Sequence, residues 1–242
     1  MVCESVARRD IDPMKIKPIL LGLALLGLAV SATAVEKKEL EGRLSKLTAQ
    51  FEALQQKADK RVPAEVLRKA QGIILLDRTK AGFIFAYQGG AGVALVKDPK
   101  SEKWSPAAFL KADEASLGFQ IGGEQAFYVI LLMDTNATSR LTNPQAEFGG
   151  EARGTAGDVS AGEGVRFSSH AQSVLIFSDR KGLYGGATIK GGAVSPDEAA
   201  NRVYYGQPLT LKDILFDKKV KPTESASELA RKVIQHSKDA KK

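Results

Sequence analysis

Apolar residues recur at steps of three and four between Glu36 and Lys60, and charged residues fill many of the positions between them. This spacing predicts an amphipathic α-helix with a single apolar stripe. A second, shorter helix is predicted over residues 63 to 71, where Pro63 suits the first turn and Glu65 suits the positive end. The stripe consists of Leu40, Leu44, Leu47, Phe51, Leu54 and Ala58.

From Gly72 onward, the pattern changes to short apolar runs bounded by glycines and turn residues. Such runs are typical of antiparallel strands rather than of alternating βαβ units. Helices are predicted again over residues 195 to 205 and 223 to 237, where Ser-x-x-Glu capping boxes mark both starts. The predicted strands cover residues 73 to 76, 83 to 87, 91 to 96, 117 to 121, 127 to 133, 174 to 177 and 183 to 194.

These elements predict an α+β fold in which a strongly curved antiparallel sheet system, barrel-like or sandwich-like, is flanked by N- and C-terminal helices. We expect residues 35 to 61 to form the amphipathic helix and residues 62 to 238 to form one domain. The expected core consists of Ile74, Leu76, Phe83, Phe85, Val93, Leu95, Phe119, Val129, Leu131, Leu175 and Phe177.

Two strand-turn segments resemble each other. IILLDRTKAGF begins at Ile73 and VLIFSDRKGLY begins at Val174, and both place an Asp-Arg pair after four or five mostly apolar residues. Either an old duplication or common turn chemistry explains the likeness.

Residues 1 to 34 predict a secretory signal peptide. Lys15 and Lys17 precede an apolar run that ends in Ser-Ala-Thr-Ala, an Ala-x-Ala cleavage signal. The alternative is an uncleaved anchor, but the run is shorter than the roughly 20 residues that span a bilayer. Met14 is an alternative natural start. We therefore expect an exported protein, periplasmic or secreted and peripheral to a membrane.

Charge and cysteine content narrow the function classes. Residues 35 to 242 contain 31 Lys and Arg against 25 Asp and Glu, a net charge of +6, which suits an anionic surface. Basic residues are scattered with few aromatics among them, which argues against a nucleic-acid partner. The sole cysteine, Cys3, lies ahead of the predicted cleavage site, which excludes disulfides and thiolate sites from the mature chain.

Enzyme signatures are absent from the sequence. The stretch SDRKGLYGGATIKGGAV, from Ser178 to Val194, contains five glycines and three basic residues but does not match a P-loop or a dinucleotide fingerprint. Its alternation fits a strand with a charged tip. Ser169 and His170 are the strongest catalytic pair, but no nucleophile elbow surrounds them. His236 is expected to be a surface histidine. We predict a non-enzyme with no catalytic residue, metal or cofactor.

The stretch from Pro63 to His236 resembles the SYLF family, a lipid-binding, actin-associated domain of the Ysc84 type. The segments that carry the resemblance occur in the family's order, although the chain has Asp77 where the family often has proline. They are PAEVLRKAQGIILLD, KAGFIFAYQGGAGVALVKD, KWSPAAF, ASLGFQIGGEQAFYVILLM, FGGEARGTAG and SPDEAANRVYYGQPLTLKDIL. The resemblance implies binding of acidic lipids, of phosphoinositides in eukaryotes and of actin in some fungal relatives.

We therefore expect a non-catalytic module that docks on anionic phospholipid surfaces. In this hypothesis the apolar stripe inserts into the membrane while basic residues contact headgroups. Alternatively, the stripe packs on the sheet or on a second chain. A different hypothesis is an envelope assembly protein that binds protein or polysaccharide and forms homo-oligomers through the N-terminal helix. The candidate lipid-binding residues are Lys37, Lys38, Arg43, Lys46, Leu40, Leu44, Phe51, Arg180, Lys181 and Lys190.

Overall fold

An antiparallel sheet lies at the centre of the protein. A computed structural model describes residues 35 to 82, 85 to 117, 122 to 143, 146 to 147, 173 to 181 and 193 to 238. The strands are β1 Gly72–Gly82, β2 Phe85–Val96, β3 Ala108–Leu117, β4 Gly122–Leu132, β5 Ala146–Glu147, β6 Val174–Lys181 and β7 Ala193–Pro196. Six of them form the sheet in the order β7-β3-β2-β1-β4-β6, and the two-residue strand β5 extends the β7 edge.

Helices cover both faces of this sheet. The first face packs against α1 (Lys37–Gln55), α2 (Ala64–Lys69), α4 (Glu198–Tyr205) and α6 (Glu224–Lys238). The second face packs against α3 (Thr135–Ser139), a 3-10 turn (Arg140–Thr142) and α5 (Leu211–Leu215). Val35–Lys242 forms one compact unit that includes α1.

Alternation along β1 separates the two cores. Ile73 and Leu75 point to the first face, Ile74 and Leu76 point to the second, and all four are buried. A strand that is buried on both faces reads as a continuous apolar run, which is why IILL in the sequence does not alternate. Packing between β1 and β2 is close, because a Cβ at Gly92 would lie 2.6 Å from the carbonyl oxygen of Leu75.

The apolar stripe of α1 lies inside the first core. Leu40, Leu44, Leu47, Phe51 and Leu54 are each at most 1% exposed. The stripe therefore packs on the sheet, which is one of the alternatives to membrane insertion that the sequence leaves open. At about 1.5 to 3 kcal/mol for each large apolar side chain, this burial ties α1 firmly to the domain.

The α+β fold with an antiparallel sheet and flanking helices is confirmed. The sheet is open rather than barrel-like, because β6 and β5 end it within the described residues without pairing to each other. Both short helices α3 and α5 were missed, since five residues are too few to show a helical period. Most of β3 was also missed, because KADEAS interrupts its apolar pattern.

The expected core is confirmed wherever its side chains are described. Ile74, Leu76, Val93, Leu95, Val129, Leu131, Leu175 and Phe177 are buried. Phe83 and Phe119 lie outside the described residues, and only the backbone of Phe85 is described, within β2. Of the strand predicted over 183 to 194, the described part is Ala193 and Val194 in β7.

Candidate binding cleft

A second stripe runs along α1 beside the leucine stripe. Arg43, Lys46 and Gln50 follow helical spacing, and Lys57 and Lys60 continue the stripe just past the helix. Each of the four cations contacts a carboxylate on the sheet or at its edge. We call Arg43, Lys46, Lys57 and Lys60 the basic flank.

The carboxylates that face the basic flank show how α1 is oriented. Arg43 Nη1 lies 3.4 Å from Asp197 Oδ2, directly after β7, and Lys46 Nζ lies 2.8 Å from Asp77 Oδ2 in β1. Lys60 Nζ lies 2.9 Å from Asp179 Oδ1 in β6, and Lys57 pairs with the other oxygen of that carboxylate. In the six-stranded sheet, β7 and β6 are the two edges and β1 lies between them. Because the basic flank reaches carboxylates at all three strands, α1 crosses the strands.

Asp77 and Asp179 occupy equivalent places in the sheet. Both are register partners of Phe127 in β4, one from each side. They are also the aspartates of the two similar segments found in the sequence, so the Asp-Arg repeat marks the positions at which the sheet holds α1.

A cleft of about 350 Å³ opens between the basic flank and the glycine-rich ends of the strands. Its floor follows the strand register, in which Asp77 pairs with Ala91, and Thr79 pairs with Gly89 and Gln125. Residues 89 and 91 carry little or no side chain, and this leaves space opposite α1. We call this space the glycine cleft, and it is lined by Arg43, Lys46, Leu47, Asp77, Thr79, Gly89, Gly90, Ala91 and Gln125.

Two acceptor oxygens near the cleft are buried without a hydrogen-bond partner among the described residues. Asp77 Oδ2 accepts from Lys46 Nζ and, at 3.2 Å, from Gln50 Nε2, whereas Asp77 Oδ1 has no partner. Gln50 Oε1 is the second such oxygen. An unpaired buried acceptor costs about 1 to 3 kcal/mol, so this site favours a donor.

The opposite flank of α1 is held by α6. Glu52 accepts from Lys232 Nζ at 2.6 Å and lies 2.7 Å from His236 Nε2. Burial raises the pKa of Glu52, but the hydrogen bonds from Lys232 and His236 outweigh it and leave that pKa below its ordinary value. His236 also packs edge-on against Phe51. The expectation of a surface histidine was wrong, since its side chain is 14% exposed.

Asp179 is shifted in the same direction. Burial raises its pKa, but the hydrogen bonds from Lys57 and Lys60 lower it by more, so the pKa of this carboxyl lies below its ordinary value. The carboxylate therefore stays charged and paired with the basic flank at neutral pH.

The structure brings some of the predicted site residues together and separates others. Arg43 and Lys46 line the glycine cleft. The backbones of Arg180 and Lys181 lie in β6, opposite Ala126 and Gln125, at the same end of the sheet.

The other predicted site residues do not contribute to the cleft. Leu40, Leu44 and Phe51 are wholly buried. Lys37 lies 5.9 Å from the ring centre of Tyr204, on the other side of α1, and Lys38 is exposed at the start of the helix. Lys190 falls outside the described residues, as do Ser169 and His170.

Sequence reasoning missed the floor of the cleft. Thr79 and Gln125 carry no motif, and the sequence shows Asp77 only as a departure from a family pattern and as part of a repeated Asp-Arg pair. The repeated Asp-Arg pair was the available signal, because a carboxylate that directly follows a doubly buried strand segment needs a partner.

Other site types find no support in the described part of the chain. It contains no group of three or more His, Cys, Asp or Glu side chains that could hold a metal ion. Among the same residues, no helix is both long enough and apolar enough to cross a membrane.

Comparison with known proteins identifies relatives. The family model Ysc84, described as "Las17-binding protein actin regulator", matches residues 113 to 236. LAS seventeen-binding protein 3 of Saccharomyces cerevisiae is 31% identical over 182 residues, and Protein YSC84 of the same species is 32% identical over 182 residues. The human SH3 domain-containing YSC84-like protein 1 is 28% identical over 169 residues. A search of solved structures gave no match.

The shared region is a part of each relative. The alignments cover 72% of this chain but 38% of each yeast protein, and 69% of this chain but 49% of the human protein. Most of the residues that line the cleft precede the segment that the family model matches. Because that model covers more than half of the sequence, the chain belongs to the Ysc84 family, whose domain is also called SYLF.

Proposed function

We propose that this protein is a non-catalytic binding module that docks on anionic phospholipid surfaces through the basic flank and the glycine-rich end of the sheet. The observation that carries this proposal is the alignment of Arg43, Lys46, Lys57 and Lys60 along one side of α1, beside an open cleft. The four cations pair with Asp197, Asp77 and Asp179, and Arg43 also lies 3.8 Å from Glu39. The side chains of Lys46, Lys57 and Lys60 remain 59%, 37% and 36% exposed, so their ammonium groups are available to anionic headgroups.

This proposal differs from the mechanism expected from the sequence. The leucine stripe fills the core, so insertion of these side chains would require α1 to leave the sheet. Docking by the basic flank leaves α1 in place, since the exposed ammonium groups of Lys46, Lys57 and Lys60 reach headgroups while their stems stay packed. Electrostatic docking of this kind weakens as salt is added.

Vesicle co-sedimentation of the full chain tests the proposal. We expect binding to phosphatidylglycerol vesicles at low salt and little binding to phosphatidylcholine vesicles. Each cation near an anionic surface contributes about 1 kcal/mol. The double substitution Lys46→Gln and Lys60→Gln should therefore cost about 2 kcal/mol, which weakens binding by roughly thirtyfold. Asp77 keeps Gln50 and Asp179 keeps Lys57 in this variant, so the fold is retained.

A matched pair of lysines at the opposite end of the strands supplies the control. Lys100 and Lys103 are exposed in the turn between β2 and β3. Replacing both with Gln removes the same charge and should leave binding nearly unchanged. The proposal is wrong if the wild type does not bind phosphatidylglycerol vesicles, or if this control loses as much binding as the flank variant.

A protein partner is the second candidate, because the family is described as "Las17-binding protein actin regulator" and one relative is named LAS seventeen-binding protein 3. An assembly role through α1 alone is less well supported, since its apolar stripe is buried. Light scattering on the full chain separates the candidates: docking by a folded monomer predicts a monomer mass, whereas a dimer that dissociates at high salt would favour assembly.

We also propose export, on the basis of the predicted signal peptide at residues 1 to 34. The matching test is N-terminal sequencing of the protein from an envelope fraction. A chain that begins at Val35 supports cleavage after Ala34, whereas an intact N-terminus in the cytoplasmic fraction would contradict export.

A further inference from the structure

The glycine cleft contains a carboxylate of which only one oxygen accepts hydrogen bonds within the described part of the chain. Asp77 Oδ2 accepts from two donors, Lys46 and Gln50, whereas Asp77 Oδ1 is buried and has no partner among the described residues. Asp77 is in the middle strand of the sheet, and its side chain is 13% exposed at the wall of the cleft. A ligand group beside Asp77 should therefore donate hydrogen bonds and carry no negative charge.

A second unpaired oxygen belongs to Gln50, next to Asp77. Gln50 Oε1 is buried without a partner on a side chain whose amide nitrogen already contacts Asp77. Gln50 does not line the cleft, so the acceptor at the wall is the Asp77 carboxylate, which suits a group with several N–H donors and a positive charge. A primary ammonium group has three donors and meets both conditions.

The rim of the cleft has the opposite preference. Arg43 and Lys46 lie three residues apart on α1, and both line the space. The Lys46 side chain is 59% exposed and can reach a second oxygen ligand without leaving Asp77. Guanidinium and ammonium groups side by side favour a phosphate, which Arg can bind with two parallel hydrogen bonds.

We propose that the glycine cleft binds a phosphoethanolamine group, with the ammonium at Asp77 and the phosphate at Arg43 and Lys46. The small residues Gly89 and Ala91 leave room for the two-carbon link between these ends. The inference deepens the proposed function and rests on it for the source of the group, which is either a phospholipid headgroup or a free phosphoethanolamine.

Calorimetric titration of the full chain with small molecules tests the chemistry directly. O-Phosphoethanolamine should bind at least tenfold more tightly than phosphocholine, whose quaternary ammonium has no N–H donor, and more tightly than inorganic phosphate. Equal affinity for phosphoethanolamine and phosphocholine, or no binding of phosphoethanolamine at millimolar concentration, overturns the proposal.

Substitutions locate the site. Asp77→Asn removes the charge with little change of shape, and Ala91→Leu fills the cleft without changing any charge; both should reduce phosphoethanolamine affinity at least tenfold. Asp179→Asn is the matched control, because this aspartate holds the equivalent register position but does not line the cleft. It should bind like the wild type. Loss of binding in Asp179→Asn, or retention in a folded Ala91→Leu variant, overturns the assignment.

Vesicles separate this inference from the proposed function and identify the source. If a lipid is the source, adding phosphatidylethanolamine to phosphatidylglycerol vesicles strengthens wild-type binding but not binding of Ala91→Leu. If only the free compound binds, the vesicle composition has no effect while titration still succeeds. Vesicle docking without phosphoethanolamine binding overturns this inference alone, and phosphoethanolamine binding without docking on phosphatidylglycerol overturns the proposed function alone.

Discussion

The two halves of strand β1 have different surroundings. In the first half, Ile73, Ile74 and Leu75 are completely buried, with helices on both faces of the sheet. In the second half, Asp77 faces a cleft and Thr79 is exposed. Helix α1 lies along the border, with leucines on one side and the basic flank on the other. Helix α1 therefore covers the core with its leucines and supplies the cations of the basic flank to the adjoining surface. The leucines and the basic flank must be tested separately.

Removing the largest side chain of α1 should have the largest effect. Phe51 is completely buried and packs against His236. Phe51→Ala should lower the free energy of unfolding by about 3 to 5 kcal/mol, because it leaves a cavity. Urea denaturation measures this change, and Ala53→Ser on the exposed side of α1 is the control. A loss below about 1 kcal/mol would mean that α1 is not part of the core.

The closely packed glycine should come next. Gly92→Ala places a Cβ against a backbone oxygen, and overpacking of this kind costs about 1 to 3 kcal/mol. Gly42→Ala should do the opposite, because nothing lies within 4 Å of the added Cβ and alanine stabilises a helix by up to about 1 kcal/mol. Thermal unfolding of both variants tests the contrast, and the same sign for both would refute it.

The pairing of α1 with the sheet and with α6 predicts a smaller, pH-dependent effect. Glu52 and Asp179 have pKa values below their ordinary ones in the folded protein. Each therefore contributes stability that is fully present above its unfolded pKa, about 4, and is lost as the pH falls through its lower folded pKa. Asp179→Asn should cost roughly 1 kcal/mol at pH 7 and little at pH 2. A cost that is independent of pH contradicts the ion pairs.

Much of the fold could be predicted from the sequence, because burial of one face of an element leaves a regular spacing of apolar residues. The leucine stripe predicted α1, and the apolar runs predicted segments of β1, β2, β4 and β6. The start of α4 was misplaced, since Ser195 and Pro196 belong to β7 and Asp197 caps the helix by accepting from Ala200 N at 3.0 Å. Ser195 and Asp197 are both suitable N-cap residues for α4. Pairing of β7 with β3 includes Ser195 and leaves Asp197 as the cap.

The candidate site was predictable only in part. The sequence indicated Arg43 and Lys46 as cations on an amphipathic helix, but not that Arg43 pairs with Asp197 and Lys46 with Asp77 beside a cleft. This pairing depends on the angle at which α1 crosses the strands, which no local pattern encodes. The same packing rules out truncation as a test, since deleting residues 35 to 60 would remove five core side chains.

A pair of fluorescent labels tests most directly whether the basic flank is the docking face. Ala53 lies between Gln50 and Lys57 on that side of α1 and is exposed, whereas Ser101 is exposed in the turn between β2 and β3. With Cys3 replaced by Ser, Ala53→Cys and Ser101→Cys each supply a single thiol for a polarity-sensitive dye. On binding to phosphatidylglycerol vesicles, the emission at position 53 should shift to the blue and that at position 101 should not. A shift at position 101 alone would contradict the account.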